Sequence, residues 1–452
     1  MFAAVSIALL LPCLWQPRLQ AGDLSSHIYN AWLAQLIKEG RAPGLAIVPQ
    51  FTNVLFDLML SGLFRLFGAG AAQHVAVMAS VLVFVWGAFA FVSKVAGRRA
   101  WRAIPFLAVL AYGWVFHMGF FNFYLSLGMC FFAMALGWEY RPIWLAGAAL
   151  ILLVACTAHA LPAAWSAAVL AYRWAALRGV PYLLTGGLAA IVLLHFAMTW
   201  VIQTRWSWRQ TLLTSGADQA YVYDQKYSIV SIGLLLLFAV MAVRSHGSIR
   251  GIPFQICLLT AAGVVLIPTW AFLPQYKQAL AFIAERMALP LGVSWCAALA
   301  AAPAARWQQY GAITVAGLFF VFLYSDERSL NALEDQIAEA AAQTPAGARL
   351  VTAIQAPQLR TNPIDHMIDR DCIGRCYSYA NYEPSTAQFR IRVVGPTNIV
   401  AQTYVDSYLM QSGRYVVKEG DLPLYRIALD GNSRAVQESL PAGTLVGVSI
   451  WK

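Results

Sequence analysis

Long apolar runs separated by short polar turns dominate residues 1–325 of this 452-residue chain. A bilayer core of about 30 Å is crossed by roughly 20 apolar residues in a helix. On that criterion the pattern predicts about eleven spans. They centre near residues 1–15, 72–93, 103–117, 120–138, 142–159, 161–176, 182–203, 227–243, 252–272, 287–304 and 308–325. The first run begins at Met1 and has neither a basic leader nor an A-x-A site, so it reads as an anchor rather than a cleaved signal. Two amphipathic stretches lie between the first two spans. In LSSHIYNAWLAQLIKEG, Leu24, Ile28, Ala31, Trp32 and Leu36 fall on one helical face, interrupted by Gln35. Gly40, Pro43 and Gly44 end that helix, and VLFDLMLSGLFRLFG follows. Both are too polar to span and are expected along the membrane interface.

After Tyr324 the pattern changes. DERSLNALEDQIAEAAAQ predicts an amphipathic helix. RLVTAI, FRIRVV and YVVKEGDLPLYRIAL predict strands, the last with a turn at Gly420 and Asp421. The expected architecture is therefore a polytopic α-helical membrane domain, residues 1–325, with interfacial helices in its first outward loop. A small soluble α/β or α+β domain, residues 326–452, closes the chain. No internal repeat, P-loop or dinucleotide fingerprint is present.

Charge fixes the orientation this architecture would take. Residues 1–325 hold 19 Lys plus Arg against seven acids, net +12, and residues 326–452 hold 12 against 14, net −2. With the N-terminus in the cytoplasm, the inward loops carry Lys94, Arg98, Arg99, Arg102, Arg141, Arg173, Arg178, Arg244, Arg250 and Arg306, opposed by Glu139 alone. That is the positive-inside pattern. An odd number of spans then puts the C-terminal domain outside, in the periplasm or at the exterior of a bacterial inner membrane. The basic excess thus reports topology and a lipid bilayer as partner, not nucleic acid.

Cys13, Cys130, Cys156, Cys257 and Cys296 fall in apolar runs and read as small core residues. Cys372 and Cys376 are in the polar part, where an oxidising compartment favours a disulfide across Ile373-Gly374-Arg375. Two free thiols are the alternative, since so short a loop can strain the bond. No zinc-type spacing appears, and no cofactor is implied.

One constellation carries chemistry. Gly22-Asp23-Leu24-Ser25-Ser26-His27 follows the first span directly, and an interfacial helix, a Gly/Pro break and a second amphipathic stretch come after it. GFFNFYLSLG, residues 119–128, falls at an outward junction, and Phe282, Glu285 and Arg286 precede a late span. This arrangement resembles the GT-C superfamily of glycosyltransferases, which includes protein mannosyltransferases and lipid A aminoarabinose transferases. The resemblance covers residues 1–325 as architecture and the first hundred or so as a pattern. It implies transfer of a sugar from a polyprenyl-phosphate donor to a glycan, lipid or protein acceptor at the outer membrane face.

By that resemblance Asp23 corresponds to the catalytic acid of the first outward loop. A general base there suits the chemistry, because an acceptor hydroxyl is a poor nucleophile while the sugar phosphate already has a good leaving group. His27, one helical turn on, would share a face with Asp23 and orient it, or share a divalent metal with it, although two ligands are too few to define a metal site. The competing reading makes Asp23 an N-cap of the helix that follows. The donor phosphate calls for an outward cation. Arg286 is preferred, since a cation opening an apolar span needs a partner and a guanidinium matches phosphate bidentately. Pairing with Glu285 is the structural alternative. Lys277, Arg205, Lys38 and Arg41 are further candidates.

Asp57 is expected to be solvated on an amphipathic face, and Asp218 and Asp224 to be solvated loop acids. His117 and His159 are read as interfacial, and His195 as structural. The string DRDCIGRCYSYANYEPSTAQFR fits no mechanism at this level. Other classes are a transporter or flippase and a non-catalytic envelope-assembly protein. A transporter would place ionisable groups mid-membrane or in matched broken helices, which the sequence does not show.

Overall fold

The computed structural model describes residues 1–244, 251–300 and 305–451. Helix predominates. Among the described residues, four helices are long and apolar enough to cross a membrane: Leu55–Ala96, Leu183–Val201, Tyr227–Arg244 and Ile283–Ala300. The other expected spans take shorter or more polar forms. Phe121–Gly137 and Pro142–Ala158 have 17 residues each, and Ile252–Leu266 has 15. The run expected at 103–117 divides at Gly113 into Ile104–Ala111 and Trp114–His117. Arg250 and the end of the span expected at 287–304 lie outside the described residues.

Leu55–Ala96 joins the second amphipathic stretch to the span after it, 42 residues in all. A straight helix of that length would run about 63 Å, twice the bilayer core. The direction breaks at Gly68, with φ 75° and ψ 176°, so the amphipathic part turns away from the apolar part. Beyond the break the helix packs closely on Phe121–Gly137. A Cβ on Gly87 would sit 2.2 Å from the Gly128 carbonyl oxygen, so the two backbones meet where neither carries a side chain.

Arg306–Ala342 is one helix of 37 residues. It contains both the last expected span and the amphipathic helix expected after residue 325. Its first half exposes Tyr310, Ile313 and Val321, while its second half buries Glu327 and Glu334.

The C-terminal sheet has four strands in the order Tyr377–Ser378, Arg349–Thr352, Leu424–Leu429, Ala435–Leu440. The first two contacts are parallel and the last is antiparallel. Two sequence expectations change here. YVVKEGDLPLYRIAL turns at Glu419–Asp421 as expected, but only Leu424–Leu429 after the turn joins the sheet, and Val416 before it makes an isolated bridge to Leu445. Asp421 organises that turn, accepting from Tyr379 at 2.9 Å, Tyr415 at 2.7 Å and the Lys418 N–H at 2.8 Å. FRIRVV leaves this sheet altogether. Its Ile391–Val393 pairs antiparallel with Leu45–Ile47 of the first loop.

That pairing shows how the two ends of the chain meet. Leu24–Lys38 is a helix as expected, and it is covered by other parts of the chain. Ser25, Ser26, His27 and Asn30 are buried together with its apolar residues. Residues 364–393 supply the cover. The Ser378 N–H donates to Tyr29 Oη at 3.0 Å, Asn381 donates to Asn30 at 3.0 Å, and Tyr377 stacks on Trp32. Polar groups of this helix are satisfied by a backbone N–H and a side chain about 350 positions away.

Candidate functional site around Asp23

The GDLSSH turn is seated by backbone on His117 and Met118, just before the GFFNFY segment. The Gly22 N–H donates to His117 O at 2.7 Å and the Asp23 N–H to Met118 O at 3.1 Å. Gly119 makes this approach possible: its φ is +81°, and a Cβ there would lie 2.4 Å from the Asp23 nitrogen. Asp23 occupies the N-cap position of Leu24–Lys38, yet its side chain accepts no capping bond. Its carboxylate is 23% exposed and so stays free to act on something else.

His27 does not turn to Asp23. Its Nδ1 meets Asp57 Oδ1 at 2.7 Å, and Asp57 Oδ2 accepts from Asn122 Nδ2 at 2.8 Å. Asp57, expected to be solvated, is buried in this pair. Burial alone would push the His27 imidazole down; the Asp57 carboxylate, with Glu383 and Asp23, overrides it and raises His27 to about 9. His27 is therefore a cation locked to Asp57, which supports the floor of the site. Among the described residues no three His, Cys, Asp or Glu side chains converge as a metal-binding group.

Of the nominated cations, Arg286 comes within electrostatic reach of Asp23. Its guanidinium carbon lies 3.8 Å from the centroid of the Phe120 ring, and Nη1 is 3.5 Å from His159 Nε2. Nε is buried and has no hydrogen-bond partner. The Glu285 pairing does not form: Glu285 accepts from Thr269 Oγ1, and the two side chains diverge as neighbours on a helix do. A cation held over an aromatic face, with one donor unused, is suited to an anion.

The remaining candidates lie elsewhere. Lys38 and Arg41 are exposed at the far end of Leu24–Lys38, about 22 Å along the helix from Asp23. Arg41 pairs with Glu39 at 3.0 Å. Arg205 belongs to Gln203–Arg205, which pairs with Trp270–Phe272, and its side chain faces the Phe272 ring. Lys277 is exposed in the following loop and ties it to the C-terminal segment through its backbone N–H, which donates to Thr386 O at 2.9 Å. Asp218 is paired with Arg360 at 3.6 Å rather than solvated, and burial raises it to about 6 against that partner. His117 is fully buried, between Gln20 O and Tyr223 Oη.

The C-terminal segment from His366 to Glu383, which overlaps the string that begins at Asp369, forms the other wall. His366 Nε2 is 3.7 Å from Asp23 Oδ1, and its Nδ1 is 3.0 Å from Asp369. The Tyr382 ring lies 5.5 Å from the His366 ring. Glu383 accepts from Ser26 Oγ at 3.0 Å. Burial raises Glu383 to about 7, opposed by the His27 cation. Arg370 fixes the segment below, with Nε and Nη2 each 2.8 Å from an oxygen of Glu334. Cys372 and Cys376 are joined by a disulfide, Cα atoms 4.5 Å apart, which closes the turn between Met367–Asp371 and Tyr377–Ser378.

A cavity of about 260 Å³ lies at the other end of Leu55–Ala96, lined by Arg98, Trp101, Arg102, Phe106, Phe238 and Leu299, and is separate from this site. Comparison of the chain with family models, curated proteins and solved structures finds no match.

Proposed function

We propose that this chain is an inverting membrane glycosyltransferase of the GT-C type. It transfers a sugar from a polyprenyl-phosphate donor to a glycan, lipid or protein acceptor at the outer face of a bacterial cytoplasmic membrane. The observation that carries the reading is the pairing of unlike groups in one place: a carboxylate with no capping bond, Asp23, within electrostatic reach of a buried cation, Arg286, whose Nε has no hydrogen-bond partner. The topology that goes with it has about eleven spans, an inward N-terminus and an outward C-terminal domain.

In this mechanism Asp23 takes the proton of the acceptor hydroxyl as its oxygen bonds to the anomeric carbon. The bond from that carbon to the phosphate oxygen breaks, and its electron pair leaves with the polyprenyl phosphate. Arg286 faces the negative charge that grows on the phosphate, where exclusion of water makes a fixed cation most effective. Attack from the side opposite the leaving group inverts the anomeric centre.

The test is incubation of the purified full-length chain in nanodiscs with radiolabelled polyprenyl-phosphate sugars and a membrane extract as acceptor source. Label moving from the polyprenyl carrier into a product of inverted anomeric configuration supports the reading. Donors that remain intact, in protein shown to bind them, reject it.

A further inference from the structure

Three polar clusters surround the first loop: His27 with Asp57, Arg370 with Glu334, and His366 with Asp369. In the first two each charged group is satisfied inside its own cluster. The third is arranged differently. His366 is anchored at one nitrogen by Asp369, 3.0 Å from Nδ1, while Nε2 points across 3.7 Å to Asp23 Oδ1. Asp369 is itself fixed by Ser378 Oγ, and Ser378 by its N–H bond to Tyr29 of the first loop. The imidazole is thus held on one side and offered to Asp23 on the other. A gap of 3.7 Å exceeds a hydrogen bond, yet one hydroxyl oxygen at about 2.8 Å from each atom would bridge it.

We propose that His366 is a positioning residue for Asp23, supplied by the C-terminal segment, which holds the Asp23 carboxylate aimed at the acceptor hydroxyl. This rests on the transferase reading of Asp23 and extends it, because the loop that carries the base is then incomplete without residues 364–385. The groups that face His366 are Asp369 and Asp365 from its own segment, Asp23 from the first loop, and Tyr382 from the turn that follows the disulfide. Burial opposes its charge, but the hydrogen bond and charge of Asp369, then Asp23 and Asp365, lift the imidazole to about 9. An imidazolium at neutral pH has its Nε2–H available to orient the Asp23 carboxylate.

Histidine NMR of the full-length chain in nanodiscs tests the coupling without any donor. Seven histidines give seven signals, and His366→Gln identifies the one in question by its loss. The expected result is a His366 titration near 9 that falls by about one pH unit in Asp23→Asn, since an opposite charge a few ångströms away raises an imidazole by about that much. A His366 titration at the ordinary value of 6.5, or one unmoved by Asp23→Asn, overturns the proposal. A second arm uses the polyprenyl-phosphate sugar assay. His366→Gln is expected to lower kcat about tenfold or more with KM for the donor little changed, and to remove the alkaline limb of the pH profile. Unchanged kcat and pH profile in folded His366→Gln also overturn it. Absence of transfer by the wild-type chain would reject the transferase reading, while the NMR result alone would still decide whether Asp23 and His366 are coupled.

Discussion

Arg370→Ala should release the C-terminal segment from the first loop. The Arg370 side chain is 9% exposed and Glu334 is fully buried, and two parallel bonds of 2.8 Å join them. Nη1 also donates to Leu19 O at 3.2 Å and to Gln73 Oε1 at 2.9 Å, so one guanidinium ties the Arg306–Ala342 helix, the first loop and Leu55–Ala96 together. Removing one partner of a buried pair costs about 3–5 kcal/mol, because the charge left behind is out of water and has lost its main partner. Glu334 would retain Gln20 at 2.6 Å and Arg18 at 3.8 Å, which places the cost near the lower end, about 3 kcal/mol. At about 1.4 kcal/mol per factor of ten, the opened population rises roughly a hundredfold. Limited trypsin digestion, under conditions where opening and closing outpace cleavage, reads that population directly. Cleavage at Arg375 and Arg390 should accelerate to the same degree. The double variant Arg370→Met with Glu334→Met leaves no orphaned charge and should be cut more slowly than Arg370→Ala. Wild-type cleavage rates in Arg370→Ala, or a double variant cut as fast as the single one, would refute the reasoning.

Arg286→Ala should weaken binding of a polyprenyl-phosphate sugar about 10- to 100-fold, the worth of a charged hydrogen bond, and Arg286→Lys should restore part of it; equal affinity in folded Arg286→Ala would move the phosphate site to another cation. The His27–Asp57 pair gives a pH signature: because folded His27 is raised to about 9 from 6.5, its contribution is complete below pH 6.5 and is lost as the pH rises through 9, by roughly 3 kcal/mol at most. Thermal melts from pH 6.5 to 9 should therefore slope downward more in the wild type than in His27→Gln, and equal slopes would deny the pair its charge. For topology, a membrane-impermeant thiol reagent should label Gln358→Cys but not Arg98→Cys in intact cells; both positions are exposed, so labelling of Arg98→Cys from outside would invert the orientation.

The helical membrane character was readable because hydropathy is a local property summed along the chain. The amphipathic helix at Leu24–Lys38 and the strand at Arg349–Thr352 were readable for the same reason. Span boundaries were less so: Gly68 and Gly113 break runs that hydropathy treats as continuous or separate without regard to backbone direction. The sequence pointed to Asp23 and Arg286, and the structure sets these two within electrostatic reach of each other. It could not show that Asp57 would be buried, since its position on an amphipathic face looks the same whether water or His27 lies opposite. Nor could it place His366, Asp369 and Tyr382, whose relation to Asp23 depends on a contact spanning more than 340 residues. The available hint was compositional. A string carrying two cysteines, several charges and three tyrosines within 22 residues has too little hydrophobic alternation to be an ordinary strand or helix, and here it covers the first loop.

The most direct measurement compares the wild-type chain with Asp23→Asn for release of polyprenyl phosphate from a polyprenyl-phosphate-linked sugar in the presence of acceptor. Asn keeps the shape of the side chain and still suits a helix N-cap, so stability should hold. The carboxylate's ability to take a proton is lost, and turnover should drop about 10²- to 10⁴-fold with donor affinity little changed. Wild-type turnover in Asp23→Asn would contradict the account, because it would remove the base from the centre of the site.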